Sequence, residues 1–291
     1  MAPTDCQVAS PGRAGFIDRL RARAAALERS IGFPEAEEPR TALAIRRLRE
    51  EGWVRPVEIR AGAGGLENAA QRLAAGELDG VVAGAVHATA DVIRAGLRVV
   101  GLADGVETVS AAFYMVFPGP DERVLTLTDA AVVPSPTPAQ MAEAASAACD
   151  AHRAIAGDEP VVAFLSYSTL GSAAGPAVGH VREALAIFRR RRPDIAADGE
   201  LQADAALVPD VAGLKAPGSP VAGRANLLVF PSLDAANIAY KLLERLAGAR
   251  ALGPVLQGLR RPLNDLSRGA SASDIVDVAC ITALMSPGSE G

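Results

Sequence analysis

The chain has 291 residues, 49% of them hydrophobic, which is long enough for one large domain or two ordinary domains with full cores. Its formal net charge of -5 argues against a nucleic-acid-binding protein, so a polyanionic ligand would have to be met by local arginine clusters. Cys6, Cys149 and Cys280 are too few and too scattered for a disulfide framework or a metal cage, and no apolar run reaches the roughly 18 residues that a membrane helix needs. These features predict a soluble, reduced, cytoplasmic protein that binds no nucleic acid.

The first third of the chain predicts alternating helices and strands. Residues 1–12 are polar and punctuated by Pro and Gly, which predicts a disordered leader. Helices are predicted over 16–26, 39–51, 66–75 and 86–96, and strands over 30–34, 57–60 and 79–85. The last strand is an apolar run that ends in small residues, and ligand sites in α/β sheets lie at such strand ends. His87, Asp91 and Arg94 would share one face of the following helix, as a ligand-binding face or an ordinary salt-bridged surface.

The middle of the chain predicts a hairpin followed by further strands and helices. The pattern gives strands over 108–117, 123–129, 161–167 and 226–230, and helices over 138–155 and 177–189. Hydroxyls and glycines fill the loop 168–175, which suits an anion site but is also typical of any strand-to-helix loop. Asp234 is predicted to cap a helix on which Ile238, Leu242 and Leu246 form one apolar stripe.

The C-terminal part combines anion-binding groups with the start of a helix. Ser271 stands three residues before Asp274, which is a capping-box pattern, so a helix should begin between Ser271 and Ser273. Ser267 and Arg268 lie just upstream, and they place a hydroxyl and a guanidinium where the helix dipole is positive. The pattern therefore indicates a phosphate site, with an ordinary capped surface helix as the alternative.

Several segments resemble the phosphate acetyltransferases, or phosphotransacetylases, of the phosphate acetyl/butyryltransferase family. They are GPVLQGLRRP (253–262), NDLSRG (264–269), SPVAGRA (219–225), FPSLDAAN (230–237), LSYST (165–169) and GAVHATAD (84–91), with Arg94 following. The resemblance is continuous from about residue 78 to residue 285. Before that it is thin, although Pro39 and Arg40 are similar to the end of an acidic turn that opens these enzymes.

The resemblance implies an α/β fold with two lobes. Each lobe would have α/β/α layers with mostly parallel sheets, as in isocitrate and isopropylmalate dehydrogenases, and the active site would lie in the cleft between them. The first lobe would comprise residues 1–103 plus 255–291, and the second residues 104–254. The family also implies a homodimer, and no metal or other cofactor is expected to be required.

The implied activity is reversible transfer of an acetyl group between coenzyme A and phosphate, which gives acetyl phosphate. By resemblance, Asp274 would be the base for the thiol, Arg268 would hold the phosphoryl oxygens, and Ser267 would donate to the carbonyl or phosphate. The residues expected to bind coenzyme A or phosphate are Arg94, Ser166, Ser168, Thr169 and Asn264.

Four departures from the family pattern keep other functions open. A basic segment that supplies an arginine for coenzyme A is absent between the first elements, and Ala95, Val133 and Ala203 replace the family's Pro, Asn and Tyr. The last change resembles the regulatory tail domain of large malic enzymes. The alternatives are thus a phosphate butyryl- or propanoyltransferase, or a non-catalytic acyl-coenzyme A sensor.

Overall fold

The computed structural model describes residues 14–59, 64–119 and 122–287, so the predicted leader over 1–12 and part of the predicted strand 57–60 lie outside the described residues. The helices are α1 (Phe16–Ala25), α2 (Pro39–Glu51), α3 (Gly65–Ala74), α4 (Thr89–Ala95), α5 (Pro138–Ile155), α6 (Pro176–Arg191), α7 (Ala203–Leu207), α8 (Pro209–Lys215), α9 (Leu233–Leu246) and α10 (Ala272–Met285). The strands are β1 (Ser30–Phe33), β2 (Arg55–Glu58), β3 (Gly80–Ala83), β4 (Ser110–Phe117), β5 (Arg123–Thr128), β6 (Val161–Leu165), β7 (Ala196–Leu201), β8 (Leu227–Val229), β9 (Arg250–Gln257) and β10 (Leu263–Asp265). None of the helices described is long and apolar enough to cross a membrane.

The strands form two sheets, which confirms the predicted α/β class. The first has the order β10-β3-β1-β2 and is parallel throughout. The second has the order β7-β6-β8-β5-β4-β9, in which β4 runs antiparallel to both β5 and β9. Strand β9 was not predicted, and the proposed boundary at 254/255 falls inside it.

Helix α10 packs against parts of both sheets. Its residues from Ile275 to Ala283 are buried on every side, because a helix that is apolar all round fits only inside a core. One core cluster contains α10, Ile31 of the first sheet and Tyr114 of the second. The start of α10 is therefore held at the junction of the two sheets, which fixes the position of the loop before it.

Two predicted helices differ from the structure in ways that matter for function. The helix predicted over 86–96 begins only at Thr89, so His87 lies in the loop after β3 rather than on a helical face. A five-residue π-helical turn, Gly96–Val100, continues it. In α9 the capping side chain is Ser232, whose hydroxyl accepts from the Ala235 backbone, and not Asp234 as predicted.

Candidate active site

The loop over 266–270 begins where β10 ends beside β3. Leu263 pairs with Val81 and Asp265 with Ala83, so the chains continue side by side past the sheet edge. Gly84 has φ +104°, and a Cβ there would come 2.2 Å from Oδ1 of Asp265. The close approach of the two strand ends therefore requires glycine at this position.

Asp274 takes part in a helix cap, and its carboxylate is half-exposed. The capping box is present as predicted, since Ser271 Oγ accepts from the Asp274 backbone at 3.2 Å, while Asp274 Oδ2 accepts from the Ser271 backbone at 2.9 Å. Oδ2 also accepts from the Ser271 hydroxyl at 2.8 Å. Among the described residues, the hydrogen-bond contact of Oδ1 is a long one of 3.5 Å to Arg250, so it is the oxygen more available to a ligand.

Ser267 and Asp274 line one cavity of about 200 Å³ between α9, β9 and the start of α10. Lys241 and Arg245 of α9 line the same cavity together with Glu244, whose carboxylate lies 3.6 Å from Arg245 Nε. Tyr240 stacks on Phe113 with ring centroids 4.1 Å apart, which holds this part of α9 against β4. No sequence pattern indicated that α9 would supply these side chains to the site.

Arg268 follows Ser267 on the same exposed loop, and its backbone is fixed by another arginine. Arg40 Nη1 donates to the carbonyl oxygens of Arg268 at 2.7 Å and Ala270 at 2.9 Å. Its Nη2 donates to the carbonyl of Ala85 at 3.1 Å, in the loop after β3. The weak PR motif was the only sequence signal for this residue.

Arg94 is exposed and lines a different cavity, of about 230 Å³, with Asp91 and Arg98. Arg94 Nη1 lies 2.6 Å from Asp91 Oδ1 within α4. Asp91 and Arg94 thus form the salt-bridged surface that was one alternative from the sequence. Arg94 is also the arginine that was predicted to bind coenzyme A or phosphate. The structure separates Arg94 from the residues that line the Ser267 and Asp274 cavity.

Asn264, one of the residues predicted to bind coenzyme A or phosphate, lies in the core. Its side chain is fully buried, where Oδ1 accepts from the Leu256 backbone at 2.8 Å and Nδ2 donates to Thr282 Oγ1 at 2.9 Å. Because both ends of the amide are used inside the core, Asn264 joins β9, β10 and α10.

Ser168 and Thr169 are also buried, and their hydroxyls shape their own loop. Ser168 Oγ donates to Glu200 Oε1 at 2.7 Å, and Thr169 Oγ1 donates to Gln202 Oε1 at 3.3 Å. Ser166 is only half-buried, and its Oγ accepts from the Ser168 backbone at 3.3 Å. Ser166 is therefore the better placed of the three predicted hydroxyls for a ligand.

Glu200 is a buried charge that sequence reasoning did not single out. It is 1% exposed and accepts two hydrogen bonds from the Arg182 guanidinium, at 2.7 and 3.0 Å, and one from the Gly171 backbone at 2.9 Å. Burial opposes ionisation, but these donors and Ser168 more than offset it and lower the pKa of Glu200 to about 2.

Cys149 and Cys280 are buried in the core. Burial raises the pKa of both thiols to about 12, so neither is a ready nucleophile at neutral pH. Within residues 14–59, 64–119 and 122–287, no group of three or more His, Cys, Asp or Glu side chains could hold a metal ion.

Comparison with known proteins shows which family this chain belongs to. The family described as phosphate acetyl/butaryl transferase matches residues 65–283. The chain belongs to that family. A phosphate acetyltransferase from Paracoccus denitrificans is 41% identical over 92% of this chain and 98% of its own length. One from Clostridium acetobutylicum is 50% identical over 71% of this chain, but the match spans only 63% of that relative.

A solved structure of the same family has the same fold. The phosphotransacetylase from Streptococcus pyogenes superposes with a TM-score of 0.86 at 33% identity, over 92% of this chain and 97% of the other. The predicted family resemblance and the α/β fold are thereby confirmed.

Proposed function

We propose that this acyltransferase moves an acetyl group reversibly between coenzyme A and phosphate. The observation that carries the proposal is the shared cavity of Ser267 and Asp274, which puts a hydroxyl at one site with a carboxylate oxygen whose contact to Arg250 is long, at 3.5 Å. Curated relatives named phosphate acetyltransferase match most of the chain, which supports the same activity. The reaction would proceed in the cytoplasm, as part of acetate metabolism, without a resident cofactor.

In the direction of acetyl-coenzyme A synthesis, Asp274 would accept the thiol proton. A thiol with a pKa of about 8.5 is mostly protonated at neutral pH, so a nearby base raises the reactive fraction. Only Oδ1 can serve, because Oδ2 is held by the Ser271 backbone and hydroxyl. The thiolate then attacks the carbonyl carbon of acetyl phosphate, and phosphate leaves with the electron pair of the broken C–O bond.

Ser267 and Arg268 would stabilise the charge that develops on the acetyl phosphate. Ser267 would donate to the carbonyl or phosphate oxygen, and Arg268 would hold the phosphoryl oxygens. Arg40 supports this role, because it fixes the Arg268 carbonyl while the Arg268 side chain stays exposed. On the α9 side of the cavity Arg245 pairs with Glu244, so Lys241 would supply the additional positive charge.

Arg94 and Ser166 remain proposed contacts for coenzyme A or phosphate. Arg94 is exposed at the other cavity, and Ser166 is half-buried at the end of β6. The hydroxyls of Ser168 and Thr169 are less available to coenzyme A or phosphate, since both already donate to protein groups. They would position the loop instead.

The proposal is tested by the loss of free coenzyme A thiol on mixing with acetyl phosphate. Arg268→Ala and Asp274→Asn should each lower kcat/KM about a hundredfold or more. Asn at 274 can still accept the capping bonds, so folding should be kept. Asp210→Asn, an exposed first-turn acid of α8, is the matched control and should keep full activity. If Asp274→Asn kept the activity of the wild-type protein, Asp274 could not be the base.

Two alternatives give different results in the same assay. A butyryl- or propanoyltransferase would show the highest kcat/KM with the longer acyl phosphate. A non-catalytic sensor would bind coenzyme A and form no thioester with acetyl, propanoyl or butyryl phosphate. The missing basic segment and the replacement of the family's Tyr by Ala203 are the features that favour it.

We also propose that the chain forms a homodimer in which α9 contributes to the interface. The predicted apolar stripe of α9 is not in the core: Ile238, Leu242 and Leu246 are 59%, 52% and 82% exposed. A contiguous exposed apolar stripe is typical of a protein contact. Leu242→Glu should shift sedimentation toward the monomer, whereas Leu27→Glu, at an exposed leucine after α1, should not.

A further inference from the structure

His87 lies against a buried carboxylate in the loop between β3 and α4. Its Nδ1 is 2.6 Å from Oε1 of Glu35, which is only 5% exposed. The His87 side chain itself remains 36% exposed. No hydrogen-bond partner for its Nε2 occurs among the described residues, and the ring lines the Arg94 cavity.

Glu35 is arranged to remain an anion. Its two oxygens accept backbone hydrogen bonds from Ala85 at 2.7 Å, Val86 at 2.9 Å and His87 at 2.7 Å. Burial raises the pKa of Glu35, but these bonds and the His87 ring more than offset it, so the pKa lies below its usual range. A fixed carboxylate orients an imidazole by accepting from one nitrogen, which here directs Nδ1–H to Glu35 and leaves Nε2 for the cavity.

The other charges of this cavity largely cancel. Arg94 pairs with Asp91 at 2.6 Å, and Arg98 lies 4.0 Å from Glu67. Histidine is the side-chain type whose charge most readily changes near neutral pH, and His87 is the histidine among the described residues that line this cavity. The charge of the site therefore changes with the protonation of this imidazole.

We propose that His87, oriented by Glu35, is a proton-dependent contact for a phosphate group of coenzyme A in the Arg94 cavity. This inference rests on the proposed function. The neutral ring keeps its proton on Nδ1 and presents only a lone pair from Nε2, which repels a phosphate oxygen. The imidazolium presents an Nε2–H donor and a positive charge, and both favour the anion. Glu35 is a positioning residue, because it acts through the ring.

Affinity for coenzyme A should therefore fall as pH rises and His87 loses its proton. Other groups packed around the loop also carry charge: Glu35, Arg40 behind Ala85, Glu67, Asp91, Arg94 and Arg98, and Asp265, which bonds to Thr89. The phosphates of the ligand titrate as well. Comparing the wild-type protein with a variant of His87 isolates the contribution of this residue to the pH dependence of binding, because the other groups are present in both proteins.

The test is the dissociation constant of coenzyme A, measured by calorimetry with the full chain at about pH 6 and about pH 8.5. From the lower to the higher pH, the dissociation constant of the wild-type protein should rise about tenfold more than that of His87→Gln. The glutamine amide of the variant can donate a hydrogen bond at both pH values. His180→Gln is the control, because His180 bonds to the Pro136 carbonyl elsewhere in the structure and should keep the wild-type dependence.

A second readout guards against a folding defect. The imidazole resonances of His87 in the wild-type protein should shift on addition of coenzyme A and remain unchanged with pantetheine, which has no phosphate. Glu35→Gln should reduce the pH dependence of binding while the His87 side chain is intact.

The outcomes separate this inference from the function beneath it. Suppose that coenzyme A binding has the same pH dependence in the wild-type and His87→Gln proteins, and that the His87 resonances do not shift when coenzyme A is added. The proposed contact then does not exist, although the transferase proposal stands. If the wild-type protein binds no coenzyme A at either pH, the proposed function fails, and this inference fails with it.

Discussion

Nη1 of Arg40 lies 2.7 Å from the carbonyl oxygen of Arg268, so a side chain near the start of the chain fixes the backbone of the proposed phosphate-binding loop. The same guanidinium also reaches Ala270 and Ala85, and its Nε donates to Glu38 at 2.7 Å. A planar fork with several fixed donors suits this arrangement, which joins α2, the end of β3 and the loop after β10.

Replacing Arg40 with Lys should lower activity while the protein stays folded. Lysine keeps the charge but cannot donate in three directions from one plane, so the loop over 266–270 loses part of its support. We expect kcat/KM to fall at least about tenfold with a small change in melting temperature, because misplacement of catalytic groups is costly. Arg46→Lys, at an exposed position of α2, is the control. Equal activity in the two variants would refute the positioning role.

Asn264→Ala should destabilise the protein without weakening ligand binding directly. The change leaves the Leu256 backbone N–H without its acceptor and Thr282 without its donor in a fully buried site. A loss of about 2–4 kcal/mol in the free energy of unfolding is expected. Urea unfolding measures it, and the KM for coenzyme A of the folded fraction should stay at the wild-type value. A raised KM for coenzyme A with unchanged stability would instead support the predicted ligand contact of Asn264.

The sequence predicted regular elements well where one local pattern was strong. Helix α2 has the predicted bounds, and the capping box of Ser271 and Asp274 is present, because caps depend only on neighbouring residues. Strand β9 was missed because its residues lie within a segment interpreted for its family motif. Its pairing with β4 is a long-range contact that no local pattern reveals.

The site was harder to predict because several of its groups act through distant partners. Asn264 and Arg94 both matched the family, but only tertiary structure shows that the first is buried among α10 and β9 while the second is exposed. Glu35 belongs to an unremarkable acidic turn, and its contact with His87 joins residues 52 positions apart. The apolar stripe of α9 has the spacing of a helix, as predicted. That spacing alone does not say whether the core or another protein covers the stripe.

Glu200→Gln should lower stability at neutral pH and much less in acid. The folded pKa of Glu200 is about 2, below its ordinary 4.5, so its contribution is present above about pH 4.5 and is lost as pH falls toward 2. Removing the charge weakens the bonds from Arg182 and Ser168 at a cost of about 1–3 kcal/mol near pH 7. Urea unfolding near pH 7 and pH 3 checks this, with the exposed Glu183→Gln as the control. A deficit that is the same at both pH values would contradict it.

Asp265→Asn should flatten the dependence of stability on pH in weak acid. Asp265 is 1% exposed, with Oδ2 accepting from Thr89 at 2.6 Å, and burial raises its pKa to about 6. Between the ordinary value of 3.8 and about 6 the folded state binds more protons than the unfolded state, so this carboxyl lowers stability as pH rises through that window. The loss is at most about 3 kcal/mol, since each pH unit contributes about 1.4 kcal/mol. Urea unfolding of the wild-type protein and the variant at about pH 4 and about pH 7 should give a difference that changes with pH, whereas the exposed Asp104→Asn should give a constant one. A constant difference for Asp265→Asn as well would mean that this carboxyl titrates in the folded protein as it does in the unfolded chain.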